Sequence, residues 1–246
     1  MNIILFQSEE LSAPLSLHDR RARHMLQVLG LKPGDPFKMG VVDGPRGEGT
    51  LSSIDENTLH FSFKLESAIP ELHPLTLLVG LPRPQTAKKI IREVTTLGAA
   101  QILFFNSERG HKSYAQSPIW EEENLRQLLL EGAEQAFCTR LPEVKVFPSL
   151  QAGLGYAPEP AYSLAFDNEI ATVSLLDHLL AEGERLRHVR QHFTLIIGSE
   201  RGLSSYERKL LAERDFNFTL LGRRVLRTET AAVSATAILL AALGWM

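Results

Sequence analysis

The chain has 246 residues, long enough for one large domain or two modest ones, and its apolar and charged content is ordinary for a soluble globular protein. A net charge of −3 gives no global pull toward nucleic acid, so any RNA contact must come from a local patch. Cys138 is the single cysteine, which excludes an internal disulfide and suits a reducing, cytoplasmic setting.

Met1 to Glu10 has no basic segment followed by an apolar core, so no signal peptide is expected. The longest apolar stretch, Ala231 to Leu243, is broken by Ser234 and Thr236 and is too short to cross a bilayer; it predicts a buried C-terminal helix and no membrane partner.

Residues 1–70 read as a small β-barrel-like module with one helix. Phe37 to Val42, Thr50 to Ile54 and Thr58 to Leu65 have strand character, and Lys32-Pro-Gly-Asp35 and Asp43 to Gly49 are turn signals. Leu59, Phe61, Phe63 and Leu65 alternate with polar residues, the period of a half-buried strand. The helix is predicted from about Asp19 to Leu29. It carries the basic stretch His18 to His24, which reads either as a solvated helix start or as a phosphate-contacting patch. The module holds 7 Lys/Arg against 9 Asp/Glu, so such a patch would be local.

Pro70 and Pro74 bracket a linker, after which the pattern changes. Continuous apolar runs at Leu75 to Leu81, Ile102 to Phe105, Val144 to Phe147, Tyr162 to Phe166, Leu195 to Ile197 and Phe218 to Leu221 predict buried strands. Helices are predicted between several of them: Thr86 to Leu97, a long one opened by Ser117 and Pro118, and Thr172 to Glu182. Alternating strands and helices predict a mostly parallel sheet with helices on both faces.

Two stretches share one grammar of apolar strand, glycine turn and helix start: Leu195 to Glu207, and Leu220 to Ala231. Ser204 and Glu207 fit a capping box, and Thr228, Glu229 and Thr230 are cap-type residues before the last helix. Two such corners place two loops at the carboxyl ends of adjacent strands, where ligands sit in open α/β sheets. Gly198 to Gly202 lacks the spacings of polyphosphate loops, and Glu200 would repel a polyphosphate, so a neutral or cationic ligand fits better. Arg223, Arg224, Arg227 and Glu229 crowd the second corner, and so many charges are costly to bury unless paired or used. His188 and His192 are four apart but have no third ligand, so no metal is expected, and Cys138 reads as a packing residue.

Gly198-Ser-Glu-Arg-Gly-Leu-Ser-Ser-Tyr-Glu207 and Leu221-Gly-Arg-Arg-Val-Leu-Arg-Thr-Glu-Thr-Ala231 resemble the two signature loops of the RsmE family of SPOUT methyltransferases. Ser199 and Arg201 depart from it, standing where the family usually has proline and glycine. Glu131-Gly-Ala-Glu-Gln135, Arg140-Leu-Pro142, Thr96-Leu-Gly98 and the Lys32-Pro-Gly-Asp35 region extend the resemblance over essentially the whole chain.

The resemblance implies a trefoil-knotted α/β methyltransferase domain over 71–246 and a PUA-like RNA-binding domain over 1–70. It implies a homodimer, S-adenosylmethionine as cofactor, and small-subunit rRNA, within the assembled subunit, as partner. The reaction would be methylation of N3 of a specific uridine; alternatives are another base or ribose 2′-OH, or a non-catalytic RNA-binding or assembly protein on the same fold. Phe166, Gly198, Glu200, Gly202, Leu221, Gly222, Val225, Leu226, Thr228 and Ala231 would then hold the cofactor. Arg227 would stabilise charge on the uracil, with Glu229 as base or as the partner that orients Arg227. Arg20, Arg21 and Arg23 would contact the RNA backbone.

Overall fold

The computed structural model describes residues 3–183, 186 and 192–246. The chain divides into two compact units. One is Met1–Glu71 with Leu130–Leu141, and the other is Leu72–Leu129 with Pro142–Met246. A simple division near residue 70 does not anticipate the assignment of Leu130–Leu141 to the first unit.

The strands of the first unit are β1 (Ile4–Phe6), β2 (Leu15–Ser16), β3 (Pro36–Val41), β4 (Arg46–Ile54) and β5 (Thr58–Leu65). They form a sheet in the order β1-β3-β4-β5-β2. β3, β4 and β5 are antiparallel, while β1 lies parallel to β3. Where turn signals suggested a barrel, β1 and β2 are the two edges of this sheet. Its core buries Phe6, Leu15, Met25, Phe37, Met39, Leu51 and Leu59. Phe61 packs its ring 5.0 Å from Phe6 and 5.8 Å from Phe37. The alternation of β5 is real but fades, from Leu59 fully buried to Phe63 40% exposed.

Ala133 explains the grouping of Leu130–Leu141, because it packs with Ile3 and Leu5 in a second apolar cluster. Thr139 Oγ1 also donates to the Gly44 carbonyl at 2.5 Å, and the Leu141 amide donates to Asp43 Oδ1 at 3.1 Å.

In the second unit, strands β6 (His73–Gly80), β7 (Ala99–Phe105), β8 (Glu143–Phe147), β9 (Tyr162–Phe166), β10 (Phe193–Ile197) and β11 (Asn217–Thr219) form one sheet in the order β11-β9-β10-β6-β7-β8. Every pairing in it is parallel. Its strands read as unbroken apolar runs because they are covered on both faces; Leu77, Leu78, Ile102, Leu103, Leu164, Leu195 and Ile196 have no exposure.

Among the described residues the α-helices are α1 (Arg20–Arg23) in the first unit, then α2 (Pro84–Thr96), α3 (Glu122–Gln135), α4 (Leu150–Tyr156), α5 (Leu175–Glu182), α6 (Ser205–Ala212) and α7 (Thr228–Leu243). The apolar C-terminal stretch is indeed a buried helix: α7 sinks Ala232, Ala235, Leu239 and Leu240 and packs on α2. No helix of the described residues is long and apolar enough to cross a membrane.

Three sequence expectations shift. Ser117 and Pro118 open only a single turn, because Glu121 is extended at ψ 140°, and α3 begins at Glu122. The Trp120 indole holds that turn by donating to the Tyr114 carbonyl at 2.8 Å. α7 begins at Thr228 with Arg227 at the cap position and no side-chain cap bond, so Thr228 and Glu229 are first-turn residues. The helix at Asp19 starts as expected, with Asp19 capping the Arg21 amide at 2.7 Å. It then widens, as the Leu29 amide bonds the His24 carbonyl five residues back.

Arg21 is the hub of this helix start. Its guanidinium gives two bonds to Glu10, two to Asp19 and one to the Leu5 carbonyl, all between 2.6 and 3.0 Å. That uses all five N–H donors of an arginine, and the group also lies over the Phe6 ring. The Arg21 hydrogen bonds hold the Glu10 carboxyl below its usual range. At Asp19 burial pushes upward, but Arg21 and its backbone amide outweigh burial and the carboxyl again lies low.

Carboxyls depressed by folding contribute stability that is present above their unfolded pKa and lost as pH falls through the folded values. We expect Arg21→Ala to cost about 2 kcal/mol at neutral pH, below the range for a fully buried pair. Urea titrations should also show the variant losing less further stability than the parent between about pH 4 and pH 2.

Candidate functional site

Strands β9, β10 and β11 end level with one another. Phe166, the last residue of β9, lies opposite both Ile197 of β10 and Thr219 of β11. The three following loops therefore leave the carboxyl edge of the sheet side by side, where open α/β sheets bind ligands. Between them lies a cavity of about 320 Å³. It is lined by residues 166–169 after β9, by residues 197–202 after β10, and by Leu221, Arg224, Val225, Leu226, Thr228 and Ala231 after β11.

The middle loop is packed backbone against backbone. A Cβ at Gly80, the end of β6, would lie 2.4 Å from the Ser199 amide nitrogen, and one at Gly198 would lie 2.7 Å from the Gly202 carbonyl carbon. The loop closes on itself through the Gly202 amide and the Ser199 carbonyl at 2.8 Å. Glu200 turns toward α2, where its carboxylate accepts from the Arg83 amide at 2.9 Å with the guanidinium at 3.8 Å. Below the loop the expected capping box forms, with Ser204 and Glu207 bonding each other's amides at 3.0 and 2.7 Å. Buried Glu207 also accepts from the Ser107 hydroxyl and the Glu108 amide, which ties the loop after β7 to α6.

An ionic frame surrounds the cavity. Asp167, nearly wholly buried, accepts from Arg208 at 2.7 and 3.2 Å and from the amides of Glu169 and Ile170. Arg208 also pairs with Glu169 at 2.8 Å. Arg109 reaches Glu169 at 3.1 Å and the Arg201 carbonyl at 3.1 Å. Hydrogen bonds from Arg208 and then Arg109 pull the Glu169 carboxyl down to about 2. Four side chains thus connect the loops after β7, β9 and β10. Of the four, only Asp167 lies in a stretch, Phe166 to Asn168, that the resemblance assigns to the cofactor loops, and no pairing of it was expected. Their one local cue is Asp167, a turn-forming residue directly after an apolar strand.

A family model described as an RNA methyltransferase domain matches residues 70–240. A Treponema pallidum protein named ribosomal RNA small subunit methyltransferase E is 36% identical over 98% of this chain and 91% of its own length. The chain belongs to the ribosomal RNA small subunit methyltransferase E family. A Borreliella burgdorferi member of that family is 30% identical over 97% of both chains. The structure of the Neisseria gonorrhoeae member, bound to S-adenosyl methionine, has the same fold, with a TM-score of 0.74 at 21% identity over 98% of this chain and 97% of that one.

Within this family member, the structure gathers most of the residues expected at the cofactor loops. Phe166, Gly198, Glu200, Gly202, Leu221, Val225, Leu226, Thr228 and Ala231 all line the cavity. Gly222 does not; at φ +145° it makes the turn that returns the chain toward α7. Arg227 and Glu229 flank the lining residues Leu226, Thr228 and Ala231 without lining the cavity themselves. Arg227 is exposed, and no ion pair joins it to Glu229 among the described residues. Glu229 instead takes Lys89 of α2 at 3.3 Å. A bond from its own backbone amide, ahead of Lys89, holds its carboxyl below the usual range.

The expected arginine patch in the first unit is smaller than the sequence suggests. Arg21 has no donor left for a phosphate, and Arg20 is bound to buried Glu134 at 3.1 Å. Arg23 remains exposed. His188 lies outside the described residues. His192 Nε2 is 2.6 Å from the Thr76 hydroxyl, and burial lowers its pKa. Among the described residues no three metal-ligating side chains gather.

Gly80 tests the backbone contact. Gly80→Ala is expected to destabilise by about 1–3 kcal/mol in chemical denaturation, since rigid backbone must move to admit a methyl group. Gly155→Ala, on α4 with nothing within 4 Å of the new methyl, is expected to be neutral or slightly stabilising.

Proposed function

We propose that this chain methylates N3 of a uridine in small-subunit rRNA, with S-adenosylmethionine as methyl donor. The observation that carries the reading is the cavity itself, bounded by Gly198–Gly202 on one side and by Leu221–Ala231 on the other. Its volume suits a small cofactor. Phe166, Ile197, Leu221, Val225 and Leu226 supply apolar surface for an adenine ring, and the tightly turned loop brings main-chain groups close. Asp167, Glu169 and Glu200 border it, each already paired with an arginine, so the acids shape the site rather than add free charge to it. Bound there, S-adenosylmethionine supplies a transferable methyl group on a sulfonium centre.

The chain's own contribution is positioning and electrostatics. Uracil N3 is a poor nucleophile while it holds its proton. Arg227, exposed at the start of α7, stabilises the negative charge that develops on a uracil carbonyl oxygen as that proton leaves. Glu229 is a weak base, because a base works best with a pKa near ambient pH and this carboxyl is held low. Its role is to anchor the first turn of α7 to α2 through Lys89.

The same reading makes 71–246 a trefoil-knotted SPOUT methyltransferase domain and 1–70 a PUA-like RNA-binding domain, in a cytoplasmic homodimer acting on the assembled small subunit. Support for the dimer comes from Ile170, Val173, Leu176 and Leu180, which expose apolar surface on and before α5, and from Val225, 83% exposed beside the cavity.

Calorimetry should detect S-adenosylmethionine binding. Small subunits from cells lacking the enzyme should gain N3-methyluridine, read by nucleoside mass spectrometry. Arg227→Ala should lower kcat by about 10²–10³ while leaving cofactor affinity near that of the parent. A different methylated nucleoside would move the acceptor to another base or a ribose 2′-OH. RNA binding with neither cofactor binding nor methyl transfer would make the chain a binding protein on this fold.

A further inference from the structure

The acids near the cavity are already partnered. Asp167 and Glu169 are held by Arg208 and Arg109, Glu200 by Arg83, and Glu229 by Lys89. What remains is cationic. Arg201, on the loop after β10, and Arg223 and Arg224, on the loop after β11, are all exposed and make no ion pair among the described residues. Arg201 and Arg224 line the same cavity from different loops, and Arg223 adjoins Arg224. A chain of net charge −3 thus concentrates, among the described residues, guanidiniums without an ion pair at one cavity mouth, next to carboxylates that already have partners.

Guanidiniums spread over two loops suit several phosphates better than one small anion. Their forked donors match phosphate oxygens, and phosphate contacts fix the register of a nucleic acid without reading its bases. In the first unit, by contrast, Arg21 is saturated and Arg20 is tied to Glu134.

We propose that Arg201, Arg223 and Arg224 form a phosphate-holding rim that grips the RNA backbone on either side of the target nucleotide, so that the second unit carries its own RNA-binding surface. The proposal rests on the methyltransferase reading above. The rim sets the acceptor base over the cavity, while Arg227 acts on the base.

The test uses the full-length protein, a single-stranded RNA oligonucleotide for binding, and small subunits from cells lacking the enzyme for turnover. Arg223→Gln is the informative variant because Arg223 does not line the cavity; Arg201→Gln/Arg223→Gln extends it. The slope of log affinity against log salt should weaken by about 0.7 for each phosphate that is no longer neutralised. KM for subunits should rise several-fold for Arg223→Gln, with kcat little changed, and further for the double variant. Affinity of Arg223→Gln for S-adenosylmethionine should match the parent.

An unchanged salt slope and KM, with cofactor binding intact, would overturn the rim and leave the methyltransferase reading standing. Loss of the dimer in sedimentation, with RNA affinity following it, would assign these arginines to the subunit interface and also overturn the rim. If the slope falls but no N3-methyluridine forms on subunits even with the parent, the rim is supported and the acceptor assignment fails.

Discussion

The level ending of β9, β10 and β11 is the constraint on which the site depends. Parallel pairing places Phe166 against Ile197 and Thr219 at once, so three loops start from one line and turn over the same edge. The middle loop lies on the backbone of β6 at Gly80, with no room there for even a methyl group. Hydrogen-bonded strands below and a backbone contact alongside fix the loop far more firmly than side-chain packing would. A cavity built this way is shaped largely before any ligand arrives, so less binding energy is lost to ordering it.

Electrostatics adds a second layer to that rigid base. Around the cavity acids and bases are not interspersed at random. Those that pair do so between separate elements, loop to loop for Arg109 with Glu169 and helix to helix for Lys89 with Glu229, and each pair ties together segments that are distant in the chain. Arg21 does the same work in the first unit, joining Glu10, Asp19 and the Leu5 carbonyl around one guanidinium. Most of these pairs are partly exposed, so their value lies in fixing geometry more than in raw stability.

Much of the sheet was legible in the sequence, because a strand buried on both faces must be apolar throughout. Leu75 to Leu81 and Ile102 to Phe105 need no tertiary knowledge to be read. The capping box at Ser204 was legible for a similar reason: its partners are three residues apart. Pairings between loops were not. Asp167 and Glu169 look like ordinary turn residues, and only folding brings Arg208 and Arg109 to them. Arg20 and Arg21 misled in the opposite direction, since a basic run in sequence looks solvated or phosphate-binding until Glu10 and Glu134 arrive from elsewhere and adjacent Asp19 turns its carboxylate back onto Arg21. The early start predicted for α3 failed over one residue, Glu121, whose extended backbone no local pattern reveals.

The return of Leu130–Leu141 to the first unit has a consequence for how the protein is made. Ile3 and Leu5 wait for Ala133, and the Gly44 carbonyl waits for the Thr139 hydroxyl. During synthesis these partners emerge only after β6, α2, β7 and most of α3, so the N-terminal module cannot complete its apolar cluster when its own strands leave the ribosome. Folding order therefore departs from chain order: the first unit to begin is not free to finish first, and a chain stopped at residue 71 would present Ile3 and Leu5 as an uncovered apolar face.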